Sequence, residues 1–469
     1  MRWPSLLRIV VVALGVLLLN LFPSPQAFVD AMRLGDALDS RGERTAAVQA
    51  YEQAAALDHR SPWPYLRMGQ VYLDWHRWAH AGQAFRRANG RQATLEGWKG
   101  LGDSLAGRRD WRQATQAWLQ AQRYKPQNPE LYVKLARASL AQSQFDQAQR
   151  QLQHALALAP DDRRAHGLLG LLWLEDPVRA RPHLEQVGDP ALRAWLDRIE
   201  LAQQGTTATP GAEQPAILAA SLLLHLDQPT LARRHLEEHL AAQPDDAEAL
   251  ATLGYTLDRL GETVASRQAL VRALDLDPDL ALGYFFLGLH ERDLGRWQAA
   301  RDSFWEAIQR DPSHAAACAE LGATYALLHD YEAAEEWYAT AVEQAPAGQE
   351  GSFRLLQASF YLNYTYKVST AGLDAAREAA QQAPEGPDAL DLLGWALYMS
   401  NQYAEAEATL QRTLALAPDL ASAEFHLGSL YATTGRSALA RTHLQRAADL
   451  DTTGAIRSRA DTVLRGLGR

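Results

Sequence analysis

Two patterns of apolar residues divide the chain. From Ile9 to Phe22 apolar residues follow one another with only Gly15 and Asn20 between them; Arg2 and Arg8 precede the run, and Pro23 and Pro25 close it. Nothing polar recurs within it at a helical or strand period, as a half-buried element would require. Counted from Leu6, with the Arg8 stem lying along the apolar surface, the segment reaches about 17 residues, the lower bound for a membrane span and longer than a usual signal-peptide core. The stretch Pro23 to Ala27 supplies poorly the small residues that a cleavage site needs. Residues 1–26 therefore read as an uncleaved single-pass anchor, with secretion after signal cleavage as the alternative. Arginines on the short leading side place the remaining chain across the membrane from the cytoplasm, outside it.

Beyond residue 26 the pattern becomes periodic. Ala, Leu, Gln, Arg and Glu dominate, a composition that favours helix. Prolines at Pro126 and Pro160, at Pro244, Pro278, Pro312 and Pro346, and at Pro384 and Pro418 are spaced 34 residues apart within each group. Gly254, Gly288, Gly322, Gly394 and Gly428 each fall ten residues after one of these prolines, most with Leu directly before, and Leu34-Gly35, Met68-Gly69, Leu101-Gly102 and Leu169-Gly170 keep the phase upstream. The unit at 280 to 313 shows the fullest set, with Tyr284, Leu287, Gly288, Ala300, Phe304, Ala307 and Pro312.

This set resembles the tetratricopeptide repeat, a helix-turn-helix unit of about 34 residues. The resemblance covers nearly everything after residue 26 and implies an all-α solenoid, a right-handed superhelix of about twelve units. The glycine of each unit reads as a close contact between its two helices, the aromatic or Leu sixteen residues later as a plug between neighbouring units, and the proline as the stop before the next unit. No unit buries its apolar faces alone, so stacking supplies the stability.

Two departures interrupt the array. The 84 residues from Pro160 to Pro244 fit neither two units nor three: Asp176-Pro177 shortens one unit, Pro190 to Gln204 reads as an extra helix, and Gly205 to Pro215 as a loop. The 38-residue step from Pro346 to Pro384 lacks Leu-Gly and carries the run Phe360 to Tyr366. The expected organisation is an anchor at 1–26, a first arm at 27–204, a linker at 205–215, a second arm at 216–453 and a capping helix at 454–469.

Composition narrows the function. With 56 acidic residues against 46 Lys plus Arg, the 469-residue chain carries a formal charge of −10, a poor surface for nucleic acid. Cys318 is the only cysteine, which excludes an intramolecular disulfide and paired-thiolate metal sites. His235-Leu236-Glu237-Glu238-His239 matches the H-x-x-E-H of inverted zinc peptidases, but that motif belongs to an α/β fold and no third ligand is assignable from sequence, so the pair reads as helix-surface histidines. Gly102-Asp103-Ser104-Leu105 and Asp311-Pro312-Ser313-His314 imitate a lipase nucleophile and its partner, yet Gly102 is the repeat glycine and Ser104 falls mid-helix. No enzyme, cofactor or metal site is expected; a hydrolase is the remote alternative.

In relatives of this family the first helices line a groove that receives a partner. Where the chaperone-tail clamp has Lys and Asn, this chain has Met32, Asp36, Leu66, Gln70, Lys99, Asp103, Val133 and Arg137, which argues against chaperone C-terminal tails. The second arm places Tyr255, Leu282, Phe285, Leu289, Trp395, Tyr398 and Phe425 at groove positions, with Tyr361 and Tyr364 close by. Aromatic anchors of this kind dominate interface energetics. The expected function is a non-enzymatic scaffold that binds other proteins or peptide segments. An accessory glycan-binding subunit of an envelope or polysaccharide machine is the alternative, and inclusion of these aromatics in the core is the bland reading.

Overall fold

The computed structural model describes residues 26–204 and 214–467. The expected anchor, apart from Gln26, and most of the expected linker lie outside the described residues. Among the described residues there are twenty-six α-helices, one π-helical turn and no strand. They form twelve consecutive helix pairs, from Gln26–Ser40 with Arg44–Leu57 to Ala421–Thr433 with Ser437–Leu450, plus two single helices, Pro190–Gln204 and Ala455–Gly466. No helix among them is long and apolar enough to cross a membrane.

Each pair begins and ends where its sequence directs. Thr94, Asp110, Asn128, Asp162, Asp246 and Asp330 accept backbone N–H groups of the first turns they precede, satisfying donors that have no partner inside the helix. The chain reverses between paired helices through a left-handed residue: Gly42, His76, Arg109, Ser143, Gly261, Gly295, His329 and Gly435 all have φ between 53° and 80°. Asp227 and Asn401, at φ 54° and 61°, do the same, so six of these ten turns lack the glycine that the conformation favours.

Packing within a pair rests on one large and one absent side chain. A Cβ on Gly288 would lie 2.5 Å from the Phe304 ring and one on Gly69 2.7 Å from Phe85; Gly35 meets Tyr51 and Gly102 meets Trp118 in the same way. The residue expected to plug the space between units thus lies first against the glycine of its own unit. The plug reading holds in addition for Phe85, which also closes on Gly100 of the following unit.

The described residues form two compact units: one comprises those up to Gln127 together with Gln445–Thr462, the other Asn128–Leu444 and those from Val463. In the first unit, Thr45 donates to Asp449 Oδ1 at 2.5 Å, Arg44 donates to the Asp449 carbonyl, and the Arg457 guanidinium stacks 4.8 Å over Trp75. The second unit has an aliphatic core running from Val133 through Leu169, Leu196 and Leu223 to Ala249. That core takes in both the shortened unit, Arg163–Leu172 with Pro177–Val187, and the extra helix Pro190–Gln204.

The 38-residue step is absorbed in the turn. Helix Glu350–Asn363 ends at Tyr364, Thr365 and Lys367 take positive φ, and a π-helical turn, Val368–Gly372, leads into Leu373–Gln382.

Candidate functional site

An open cleft of about 670 Å³ lies within the second unit. Its walls come from four helices: Trp195 and Arg198 from the extra helix Pro190–Gln204, Ile217 and Leu218 from Pro215–His225, Thr252 and Tyr255 from Ala247–Arg259, and Leu282 and Phe286 from Ala281–Asp293. The last three are first helices of successive pairs. Their spacing by whole repeats brings equivalent turns side by side, so the cleft arises from the periodicity, while the extra helix supplies one wall that a regular array lacks.

The lining combines stacked rings with charges of both signs. Tyr255 and Phe286 stack with centroids 4.7 Å apart and planes 11° from parallel. Arg198 lies 4.7 Å over the Trp195 ring. Arg259 reaches Tyr255 Oη at 3.5 Å and pairs with Asp227 at 2.9 Å. Glu248, also in the lining, has its pKa raised by burial and then by the neighbouring Asp246.

The predicted groove residues divide. Tyr255 and Leu282 line the cleft and are half-buried. Phe285 turns toward its own hairpin, with its ring 6.0 Å from that of Phe304 and 4.6 Å from that of His314, and Phe286, one place on, faces the cleft instead. Leu289 is half-buried and does not line the cleft. Trp395 lies between Tyr398, at 4.8 Å, and His426, at 4.3 Å; the first two rings are half-buried and His426 is buried, and Tyr398 Oη meets Thr433 Oγ1 at 2.9 Å.

Two predicted contacts require correction. Phe425 is only 4% exposed, on a helix whose residues from Ala423 to Tyr431 are all buried. Tyr361 is 3% exposed and donates to Glu335 Oε1 at 2.9 Å, while Lys367 binds the other oxygen of the same carboxylate at 2.5 Å. Tyr364 packs half-buried against Tyr331 and Phe360. The tyrosine run thus closes the lengthened turn onto the preceding hairpin, so these rings are occupied within the protein. Sequence reasoning missed Trp195, Thr252 and Phe286. The signal for Trp195 was its place on the extra helix, which carries no repeat numbering.

The motifs that imitate chemistry are used locally. Ser104 is 1% exposed and donates to the Leu101 carbonyl at 2.7 Å. His314 caps helix Ala315–Leu327 by accepting the Ala317 N–H. Cys318 is fully buried, and burial pushes its thiol up to about 11, away from the reactive thiolate. His235, expected on a helix surface, is buried.

Three sequence profiles match: two described as tetratricopeptide repeat, over residues 105–172 and over 217–281, 287–348, 369–421 and 392–455, and one described as TPR repeat, over 35–74. The chain belongs to the tetratricopeptide-repeat family. Comparison with curated proteins gives no match. Among solved structures, this tetratricopeptide-repeat chain is similar to the APC/C hetero-tetramer Cut9-Hcn1, at 12% identity over 94% of this chain and 96% of the other, with a TM-score of 0.45. It is similar also to yeast Tom70, at 14% identity over 94% and 96% with a TM-score of 0.42. A third is PilW, titled a widely conserved type IV pilus biogenesis factor, at 13% identity over 48% and 98% with a TM-score of 0.40.

Proposed function

We propose that this tetratricopeptide-repeat protein is a non-catalytic scaffold that holds a segment of another protein in the cleft between Trp195, Tyr255 and Phe286. The observation that carries the reading is the stacked Tyr255–Phe286 pair set in an open cleft that the first helices of three hairpins and one extra helix enclose. A floor of fixed rings costs little side-chain entropy on binding, and Arg and carboxylate groups at the rim suit an amphipathic segment.

The test is crosslinking and affinity capture with the intact chain, followed by a binding curve for the recovered partner. Replacing Tyr255 and Phe286 together with Ala is expected to weaken binding about 30-fold, the scale of a 2 kcal/mol anchor, with helicity unchanged. Unchanged affinity in a folded double variant would remove the cleft from the function.

Tethering belongs to the same proposal. The apolar run from Leu6 to Phe22 supports a single-pass anchor with the repeats outside the cytoplasm. Protease added to cells with a permeable outer layer is expected to digest the repeats; protection would reverse the orientation.

The half-buried rings of Trp395 and Tyr398, stacked over the buried His426, favour a second reading, an accessory glycan-binding subunit, because sugars stack on such rings. Glycan binding by the intact chain without protein partners, lost in Trp395→Ala and retained in Tyr255→Ala, separates the two.

A further inference from the structure

Helix Pro229–Ala242 places His235 and Glu238 three residues apart, hence on one face. The turn between helices Arg163–Leu172 and Pro177–Val187 brings Glu175 to the same point: its Oε1 lies 2.6 Å from His235 Nδ1. One ligand-type atom from each of Glu175, His235 and Glu238 falls within 4.8 Å of the other two. The His235 side chain is 1% exposed, and neither of its ring nitrogens makes a hydrogen bond, since Glu175 approaches Nδ1 without the alignment one requires. A buried imidazole with two carboxylates beside it and no aligned hydrogen bond at either ring nitrogen keeps a nitrogen lone pair that a metal ion can take up.

We infer that Glu175, His235 and Glu238 form a binding site for one divalent transition-metal ion, of which Zn²⁺ is the probe of choice. One imidazole and two carboxylates suit Zn²⁺ or Mn²⁺, whereas Ca²⁺ and Mg²⁺ prefer oxygen alone. Bonds of about 2.0–2.2 Å place donor atoms roughly 3–4 Å apart. Glu175 Oε1 and His235 Nδ1 are closer than that, at 2.6 Å, and the remaining separations are within 4.8 Å, so binding asks for small shifts of side chains that are partly exposed and adjustable: the two glutamates are 39% and 46% exposed. The exposed side leaves coordination positions for water.

The surroundings position the carboxylates. Arg234 grips Glu238 Oε1 at 2.7 Å and is itself set over the Phe145 ring at 4.9 Å, so it orients the carboxylate while opposing the cation's charge. Gln203 donates to the Glu175 carbonyl at 3.1 Å and fixes the turn. His239, the second histidine of the sequence motif, is engaged elsewhere, with Asp246 at 2.8 Å. The site therefore differs from a peptidase centre: its third donor comes from 60 residues upstream of His235, and the ion braces the hairpins that flank the break in the array.

The experiment is calorimetric titration of chelator-stripped full-length protein with ZnCl₂, with metal content confirmed by elemental analysis. One equivalent is expected at this site, weakened tenfold or more in Glu175→Gln and in His235→Ala, with a matching loss of metal-dependent thermal stabilisation. Glu175→Gln, at a partly exposed position, keeps the test valid should His235→Ala fail to fold. His166 and His183, whose Nδ1 atoms lie 2.8 Å apart, form the competing imidazole pair. Full binding retained in His183→Ala supports the assignment. The absence of stoichiometric binding, or binding lost in His183→Ala and intact in Glu175→Gln, overturns it.

Discussion

At Gly288 a single hydrogen decides how closely two helices approach, because the Phe304 ring occupies the space a methyl group would need. Gly288→Ala is expected to cost about 1–3 kcal/mol through overpacking, and Phe304→Ala about 3–5 kcal/mol through the cavity it leaves. In the Phe304→Ala background the glycine substitution should become nearly neutral, a coupling that urea denaturation of the four variants measures. His183 sets a different residue-scale constraint. His166 donates through Nε2 to the Pro160 carbonyl at 2.8 Å, and its Nδ1 lies 2.8 Å from His183 Nδ1. Burial, and then the charge of His166, depress the His183 pKa. The unfolded chain takes up this proton near pH 6.5 and the folded chain only at lower pH, so the stability present at neutral pH is lost as pH falls below about 6.5. His183→Gln should flatten melting temperature against pH below about 6.5, which calorimetry reads directly.

The element that departs most from the repeat is also the one most dependent on one carboxylate. Glu335 receives Tyr361, Tyr366 and Lys367, and so fastens the lengthened turn to helix Tyr331–Glu343. Glu335→Ala should loosen that turn before any other, with amide exchange rising about tenfold or more across residues 361–372 and little change at Phe304; uniform protection would contradict this. Regular turns make the opposite point. Arg109 is exposed and holds a φ of 60°, where L side chains are strained. Arg109→Gly is expected to stabilise its hairpin by about 0.5–1 kcal/mol, the relief of left-handed strain less the added freedom of the unfolded glycine, checked by denaturant midpoint.

Across the whole molecule, the helix pairs were readable from sequence because the repeat encodes local contacts: Gly102 and Trp118, sixteen residues apart, predict each other. The extra helix Pro190–Gln204 was readable without the repeat, from its helix-favouring run between Pro190 and the loop that opens at Gly205. What escaped the sequence depends on distance along the chain. Phe286 rather than Phe285 faces the cleft because the tilt of one helix against its neighbours decides it, and Glu175 meets His235 through a turn whose course no local pattern states. The same holds for the first compact unit, which joins the opening hairpins to Gln445–Thr462. Deleting residues 445–469 should raise amide exchange in helix Arg44–Leu57 and around Trp75, where Asp449 and Arg457 now bind. Unchanged exchange there would mean that the opening hairpins stand without them.

Thr45 and Asp449 are 404 residues apart in the chain. Bringing such ends together through unstructured chain costs on the order of 5 kcal/mol, a term that hairpins made of neighbouring residues scarcely meet. During synthesis the hairpin that carries Thr45 leaves the ribosome some 404 residues before the residue that binds it. The nascent chain must therefore carry an unfinished surface around Thr45 throughout that interval, open to chaperones and proteases until Asp449 arrives.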